Sequence, residues 1–378
     1  HMIFDGGSMD IFLRDLAAAY EGSLLKKETF TSFDLALLEQ ETAQGDAYRR
    51  AEAFFRERLS DGEGATVISA DGSADGAGIP RTAAASVSKS SVKDAIKGLG
   101  VTPSNLFLAA TALVTGRFAS TRDVRIASIT NGRDGAQLQN NLGMLVNTLP
   151  VALKTDPTQA AGEYLVKIQQ EMLDVLGSQI YSYLHASSDY NYNAQLLYAF
   201  QGGVVSEYRL DGEPVRVTGL GLDRVKFPIS VNIQEDAAHY IVEAEYDDSI
   251  FGEAYMQTFA DCIAHTACML ARMQDKPTGE ISIMTDAQQE KAAAFNQKPR
   301  PVRAQALHNI FEAYAQNTPD APALYAADGR FTYAQLNARA NALAHSLLAL
   351  GVQREDRIAL SDGRDSRLMN EPGILPTA

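Results

Sequence analysis

The sequence predicts an α/β or α+β protein of more than one domain. Helix-spaced apolar runs interleave with short alternating runs along the chain, the pattern of helices layered on a sheet. The 378 residues exceed one ordinary domain of ~100–200 residues. At 46% apolar and 21% charged, the chain can bury a core and is not disordered by composition.

The elements follow in order. Ser8 reads as an N-cap, the run Met9, Phe12, Leu13, Leu16, Tyr20 is helical, and Gly22 closes it. A second helix is expected from Asp46 to Leu59, with Tyr48, Ala51, Phe54 and Phe55 on one face. Residues 60–86 are rich in Gly, Ala, Ser and Asp and read as a connector with one short strand at Thr66–Ser69. Ser88–Leu99 is a short helix ended by Gly100. Thr102-Pro103 then caps a helix, and Leu106 to Phe118 is so apolar that it is expected to be buried on most sides. Val124–Thr130 and Gly143–Leu153 read as strands, and Pro157–Leu176 as an amphipathic helix.

Gln195–Phe200, Val204–Arg209 and Val215–Thr218 are weaker strand candidates. Pro228–Gln234 and His239–Tyr246 alternate with period two and form a hairpin around Asp236-Ala237-Ala238. Glu253–Arg272 is a long helix. Pro299, Pro301, Arg300 and Arg303 mark a linker over Gln297–Gln305. A helix (Leu307–Gln316), a strand (Pro322–Ala326), a long helix (Tyr333–Leu350) and an apolar fragment (Arg357–Leu360) follow. Ser361–Ala378 carries no usable period.

Charge excludes some partners. With 33 Lys+Arg against 47 Asp+Glu, the net charge of −14 argues against a general nucleic-acid or anionic-membrane binder. Two cysteines, Cys262 and Cys268, six apart on one helix, suit neither a disulfide scaffold nor a metal site. No two histidines share metal-ligand spacing. No run approaches the ~20 apolar residues of a membrane span, and a cytoplasmic location is expected.

Two stretches carry candidate chemistry. In His1-Met2-Ile3-Phe4-Asp5-Gly6-Gly7-Ser8, a histidine able to move a proton at neutral pH stands four residues before an acid, and glycines follow. A capped turn entering a helix explains the same residues. His1 itself is open to a second explanation, a cloning remnant. The other stretch is Leu142–Pro150, where Asn147 and Thr148 interrupt an apolar strand. They fit a strand lining a cleft, or a strand end satisfied by backbone.

In this order, these stretches resemble a nonribosomal peptide synthetase. His1–Gly6 is similar to the second half of the condensation-domain motif H-H-x-x-x-D-G, with His1 at its second histidine. Ser32–Leu38 resembles Y-x-D-Y-A-x-W through Asp34 and Ala36, with Leu38 where the family has Trp. Leu142–Leu149 resembles I-G-x-F-V-N-T-L through Gly143, Val146, Asn147 and Thr148. Gln179 and Tyr181 match a degraded H-Q-D-Y-P-F, and Asn193–Gln201 faintly matches an R-N-P-L block and its following strand. Phe331–Leu336 resembles the first adenylation motif, L-T-Y-x-E-L.

The resemblance implies a chloramphenicol-acetyltransferase-like condensation lobe with a mixed sheet and flanking helices. The implied boundaries are a partial condensation domain over residues 1–290, with 1–60 a remnant of its first lobe and 87–290 its second. A linker at 291–306, an adenylation fragment at 307–360 and an atypical tail at 361–378 follow. Starting inside the motif, the chain is expected to lack most of the first lobe, and His1 is expected to be native.

His1 is implied as general base or amine-positioning group, Asp5 as a structural partner of an arginine elsewhere, and Gly6 as the point of backbone approach. Asn147 and Gln201 are implied substrate-tunnel residues. No cofactor is expected to be held directly: substrates ride on phosphopantetheine arms, and ATP and Mg belong to a complete adenylation domain. The implied partners are donor and acceptor carrier domains, the missing lobe and the rest of the adenylation domain. The isolated chain is expected to be inactive. The rivals are a coenzyme-A-dependent acyltransferase of the same superfamily, an epimerisation domain and a non-catalytic truncated product.

Overall fold

The computed structural model describes residues 4–25, 27–61, 64–71, 78–133, 135, 137–203, 209–210, 213–214, 225–296, 306–326, 329–353 and 356–358. His1, residues 204–208 and 215–218, the linker 297–305 and the tail 361–378 lie outside them. The chain divides into two compact units, residues 1–294 and 295–378.

The first unit opens with helix α1 (Gly6–Tyr20). Its N-cap is Asp5, not Ser8, because the Asp5 carboxylate accepts from the Ser8 amide at 2.8 Å. The helix therefore starts three residues early and draws Ser8 inside, fully buried. Gly22, at φ +75°, supplies the left-handed residue that ends it. Helix α2 (Ser32–Thr42) was not foreseen, since its apolar residues form no single stripe. It starts at a capping box in which Thr31 and Asp34 exchange bonds. Helix α3 (Asp46–Leu59) has the predicted bounds and buries Ala51, Phe55 and Leu59.

Strand β1 (Pro80–Ser88) runs where a connector was expected. Only Ala83 and Val87 of it are buried, so its small residues carry little period. Its register comes from the neighbouring strand, with Ala83 opposite Ala244 and Val87 opposite Tyr240. The strand expected at Thr66–Ser69 is absent: Thr66 alone bonds the β-sheet, its amide to the Arg125 carbonyl and its hydroxyl to the Arg125 amide.

Then come α4 (Lys89–Lys97), α5 (Pro103–Phe118), β2 (Asp123–Thr130), β3 (Asn147–Lys154) and α6 (Ala161–Gly177). Strand β3 begins four residues later than predicted, because the amides before it turn to side chains of the first helix. Helix α6 also starts late. Helix α7 (Tyr183–Tyr190), unforeseen, is capped by Ser182. Strand β4 (Leu196–Gly203), a small β5–β6 pair (Arg209–Leu210 with Glu213–Pro214), β7 (Ile229–Glu235) and β8 (His239–Asp247) complete the strands of this unit. Helix α8 (Glu253–Arg272) has its predicted bounds, and an unforeseen α9 (Asp286–Asn296) follows.

Six strands form one mixed sheet in the order β1-β8-β7-β4-β2-β3. The pairs β7–β4 and β4–β2 are parallel and the others antiparallel. The hairpin β7–β8 forms as predicted, with Ile229 opposite Tyr246 and Ile233 opposite Val242. Helices α5, α6 and α8 pack together, and α5 and α8 lie on the sheet. Phe107 of α5 meets Tyr240 edge-on at 5.2 Å, and every residue of α5 from Asn105 to Gly116 is buried. Each large apolar side chain so buried contributes about 1.5–3 kcal/mol.

The second unit holds α10 (Leu307–Asn317), a β9–β10 hairpin (Pro322–Ala326, Gly329–Thr332) and α11 (Tyr333–Ala349). Strand β10 was not foreseen. Thr332 and Gln335 form the capping box of α11, which buries Leu336, Ala340 and Ala344. Among the described residues, no helix is long and apolar enough to cross a membrane.

Candidate functional site

The carboxylate of Asp5 is the centre of the site. Asp5 is 4% exposed and accepts two bonds from Arg133, Nη1 to Oδ2 at 2.9 Å and Nη2 to Oδ1 at 2.8 Å. Besides the Ser8 amide, it accepts from the amides of Leu145 (2.8 Å) and Val146 (3.2 Å). Burial by itself raises the carboxyl pKa. The Arg133 guanidinium and the Ser8 and Leu145 amides outweigh burial and hold it well below the usual carboxylate range. Asp5 is thus charged at neutral pH, with its oxygens occupied. In this state it is a brace and has no proton to exchange.

Arg133 is held in turn. Its guanidinium also donates to the Ser8 hydroxyl (3.0 Å) and to the carbonyls of Asn131 and Asn141. Gly7 lies against it: a Cβ there would stand 2.6 Å from Nη1. Gly132, at φ +62°, leaves no room either, since a Cβ would stand 2.0 Å from the Leu145 carbonyl oxygen. Two loops therefore close on one ion pair, and glycines permit the approach.

Gly6 differs from Gly7. It is exposed at the first turn of α1, and a Cβ there would meet nothing within 4 Å. Asn147 opens β3 one residue after Val146, and its Nδ2 donates to the Gln179 carbonyl at 2.7 Å. Asp5, Gly6 and Asn147 thus belong to one connected region. Gln201 does not join it through these contacts. It is exposed at an irregularity where β4 shifts register against β7, and it donates to Asn232 at 3.1 Å.

The arginine partner implied for Asp5 is Arg133, which sequence reasoning did not name. That reasoning also missed Ser8 as a buried hydroxyl and the role of Gly143. Arg133 lies in a loop with no motif of its own. The resemblance implied an arginine for Asp5, and a buried acid needs a cation, but neither signal picks out its position. Near the site, Tyr48 and Tyr181 pack with His185, and the Tyr48 hydroxyl bonds His185 Nδ1 at 2.7 Å. Among the described residues, no three His, Cys, Asp or Glu side chains are grouped as a metal site.

Comparison with known proteins identifies the family. The family model for the condensation domain matches residues 1–292. The chain belongs to the condensation-domain family of nonribosomal peptide synthetases. A second family model, for AMP-binding enzymes, matches residues 311–365. Tyrocidine synthase 3 of Brevibacillus parabrevis is 26% identical, over 98% of this chain and 6% of the synthase. Surfactin synthase subunit 2 of Bacillus subtilis is also 26% identical, over 95% of this chain and 10% of the subunit. The chain therefore spans a small part of the relatives it matches.

The structure of the first condensation domain of the calcium-dependent antibiotic synthetase, in complex with a substrate analogue, superposes with a TM-score of 0.61. The identity is 16%, over 75% of this chain and 66% of that one. That likeness concerns the fold alone, and it is the fold class the sequence predicts.

Proposed function

We propose that residues 1–290 act as the condensation part of a peptide synthetase and join two carrier-bound acyl groups. The supporting observation is the Asp5-Gly6 end of the H-x-x-x-D-G sequence. Its acid is spent on bracing, which leaves the exposed Gly6 at the start of α1 as the surface open to substrate.

In this account the acceptor α-amine attacks the donor thioester carbonyl. The C–N bond forms, the C–S bond breaks, and the amine proton ends on the departing thiol. His1 takes the proton or orients the amine. Asp5 fixes the turn, and Gly6, with open space around it, admits substrate to the backbone. Asn147 and Gln201 line the path of the substrates. Much of the rate comes from holding two tethered substrates together. The substrates arrive on phosphopantetheine arms of donor and acceptor carrier domains. Residues 291–306 act as a linker, and residues 307–360 belong to an adenylation domain that uses ATP and Mg when complete.

The test is a full module that carries this sequence, supplied with aminoacyl carriers and read by mass detection of the dipeptidyl product. Dipeptide is expected from the wild type, with a loss of about a hundredfold or more for His1→Ala. Wild-type yield from His1→Ala overturns its catalytic role, and no dipeptide from the intact module overturns the assignment of the reaction.

A further inference from the structure

Ser8 has more hydrogen bonds than a helix interior requires. Its hydroxyl donates to the Gly143 carbonyl (2.9 Å) and accepts from the Gly143 amide (3.0 Å) and from Arg133 Nη2 (3.0 Å). A hydroxyl offers one donor and two acceptor positions, so all three are used. Ser8 is 0% exposed.

The same loop is stitched at one residue after another to the chain between residues 5 and 32. Arg14 donates to Asn140 at 2.9 Å, Asn141 donates to the Phe30 carbonyl at 2.7 Å, and Ser32 donates to the Leu142 carbonyl at 3.0 Å. Ser8 then takes both backbone groups of Gly143, and Asp5 takes the amides of Leu145 and Val146. A Cβ at Gly143 would stand 2.8 Å from Leu145 Cδ1 and from Ser32 Oγ, so a larger residue here has to displace both side chains. The loop leads straight into β3 at Asn147.

We infer that Ser8 is a positioning residue, which locks the 140–146 loop to the first turn of α1 and so fixes the catalytic turn against the sheet. The role in the reaction rests on the condensation reading. Asp5 and Ser8 anchor the turn at both ends, and Gly6 stands exposed between them. Amide formation needs the reacting groups held to within about an ångström. Loosening one anchor therefore lowers kcat and leaves carrier binding unchanged, because a hydroxyl that is 0% exposed cannot itself meet a carrier.

The experiment has two arms, with Ser8→Ala, the nearly isosteric Ser8→Cys, and Ile96→Val as a core variant of modest stability loss remote from the loop. Hydrogen exchange on the 378-residue chain should show faster exchange at 140–147 and 5–12 in Ser8→Ala, with the sheet still protected. Should Ser8→Ala fail to fold, Ser8→Cys, with its weak S–H donor, carries the same test. In the full module, kcat for dipeptide formation should fall about tenfold or more in Ser8→Ala and less in Ser8→Cys, with KM for the loaded acceptor carrier within about twofold. Ile96→Val should keep its kcat.

Unchanged exchange at 140–147 overturns the lock. Faster exchange with kcat no lower than in Ile96→Val overturns the positioning role. A wild-type module that makes no dipeptide overturns the condensation reading instead, and the exchange arm still decides the lock.

Discussion

Helices α5 and α2 begin alike and are held differently. Thr102 caps α5 through the Asn105 amide, and Thr31 caps α2 through the Asp34 amide. Yet α5 is buried along most of its length, while α2 buries no residue and leaves Phe33 83% and Leu37 61% exposed. Among the described residues, α2 and its approach are fastened by polar contacts, Ser32 on Leu142 and Asn141 on Phe30. A cap fixes where a helix starts and contributes about 1 kcal/mol. It does not decide what the helix rests on. The unit thus combines a core held by apolar burial with an N-terminal segment held by an ion pair and directed hydrogen bonds.

The contrast breaks first at large side chains. Phe107→Ala in α5 should cost about 3–5 kcal/mol in urea unfolding, and Leu37→Ala in α2 within about 0.5 kcal/mol. A cost above about 2 kcal/mol at Leu37 would mean that α2 rests on an apolar partner after all.

Acid should separate the regions next. The carboxyl of Asp5 is held below its unfolded value of about 4, so its contribution is present at neutral pH. That contribution is lost as pH falls from about 4 toward the depressed folded value. Between pH 7 and pH 3, wild type should therefore lose more unfolding free energy than Asp5→Asn, and equal losses would contradict the bracing role.

Caps should give a smaller effect. Thr102→Ala should lower global stability by about 1 kcal/mol, whereas Thr31→Ala should speed amide exchange only within residues 32–38. A global loss from Thr31→Ala would erase the distinction. The mildest test uses the thiols. Burial pushes the Cys262 thiol up to about 11, and Cys268 is only half-buried. A thiol reagent on the native chain should label Cys268 well before Cys262.

Much of the buried region could be read from sequence because periodicity and burial coincide there. Helices α3, α5 and α8 and the β7–β8 hairpin follow their apolar spacing. Strand β1 could not be read, since its alanines pattern weakly and its register belongs to β8. Helix α2 could not either, as no core imposes a stripe on it. At the site, the sequence showed Asp5 and the Gly143–Asn147 stretch, but not that each completes the other. The hydrogen bonds from that stretch to Asp5 and Ser8 span 135–141 positions, and the loop amides that would have continued a strand turn to these two residues instead.

A double-mutant cycle on the Asp5–Arg133 pair tests the brace most directly. Asp5→Asn, Arg133→Gln and the double variant would be unfolded in urea at pH 7. Either single change leaves a charge buried without its partner, at a cost of about 3–5 kcal/mol. The two costs should overlap by about 2 kcal/mol or more in the double variant. Costs that add to within about 0.5 kcal/mol would show that the pair does not hold the loop to the turn.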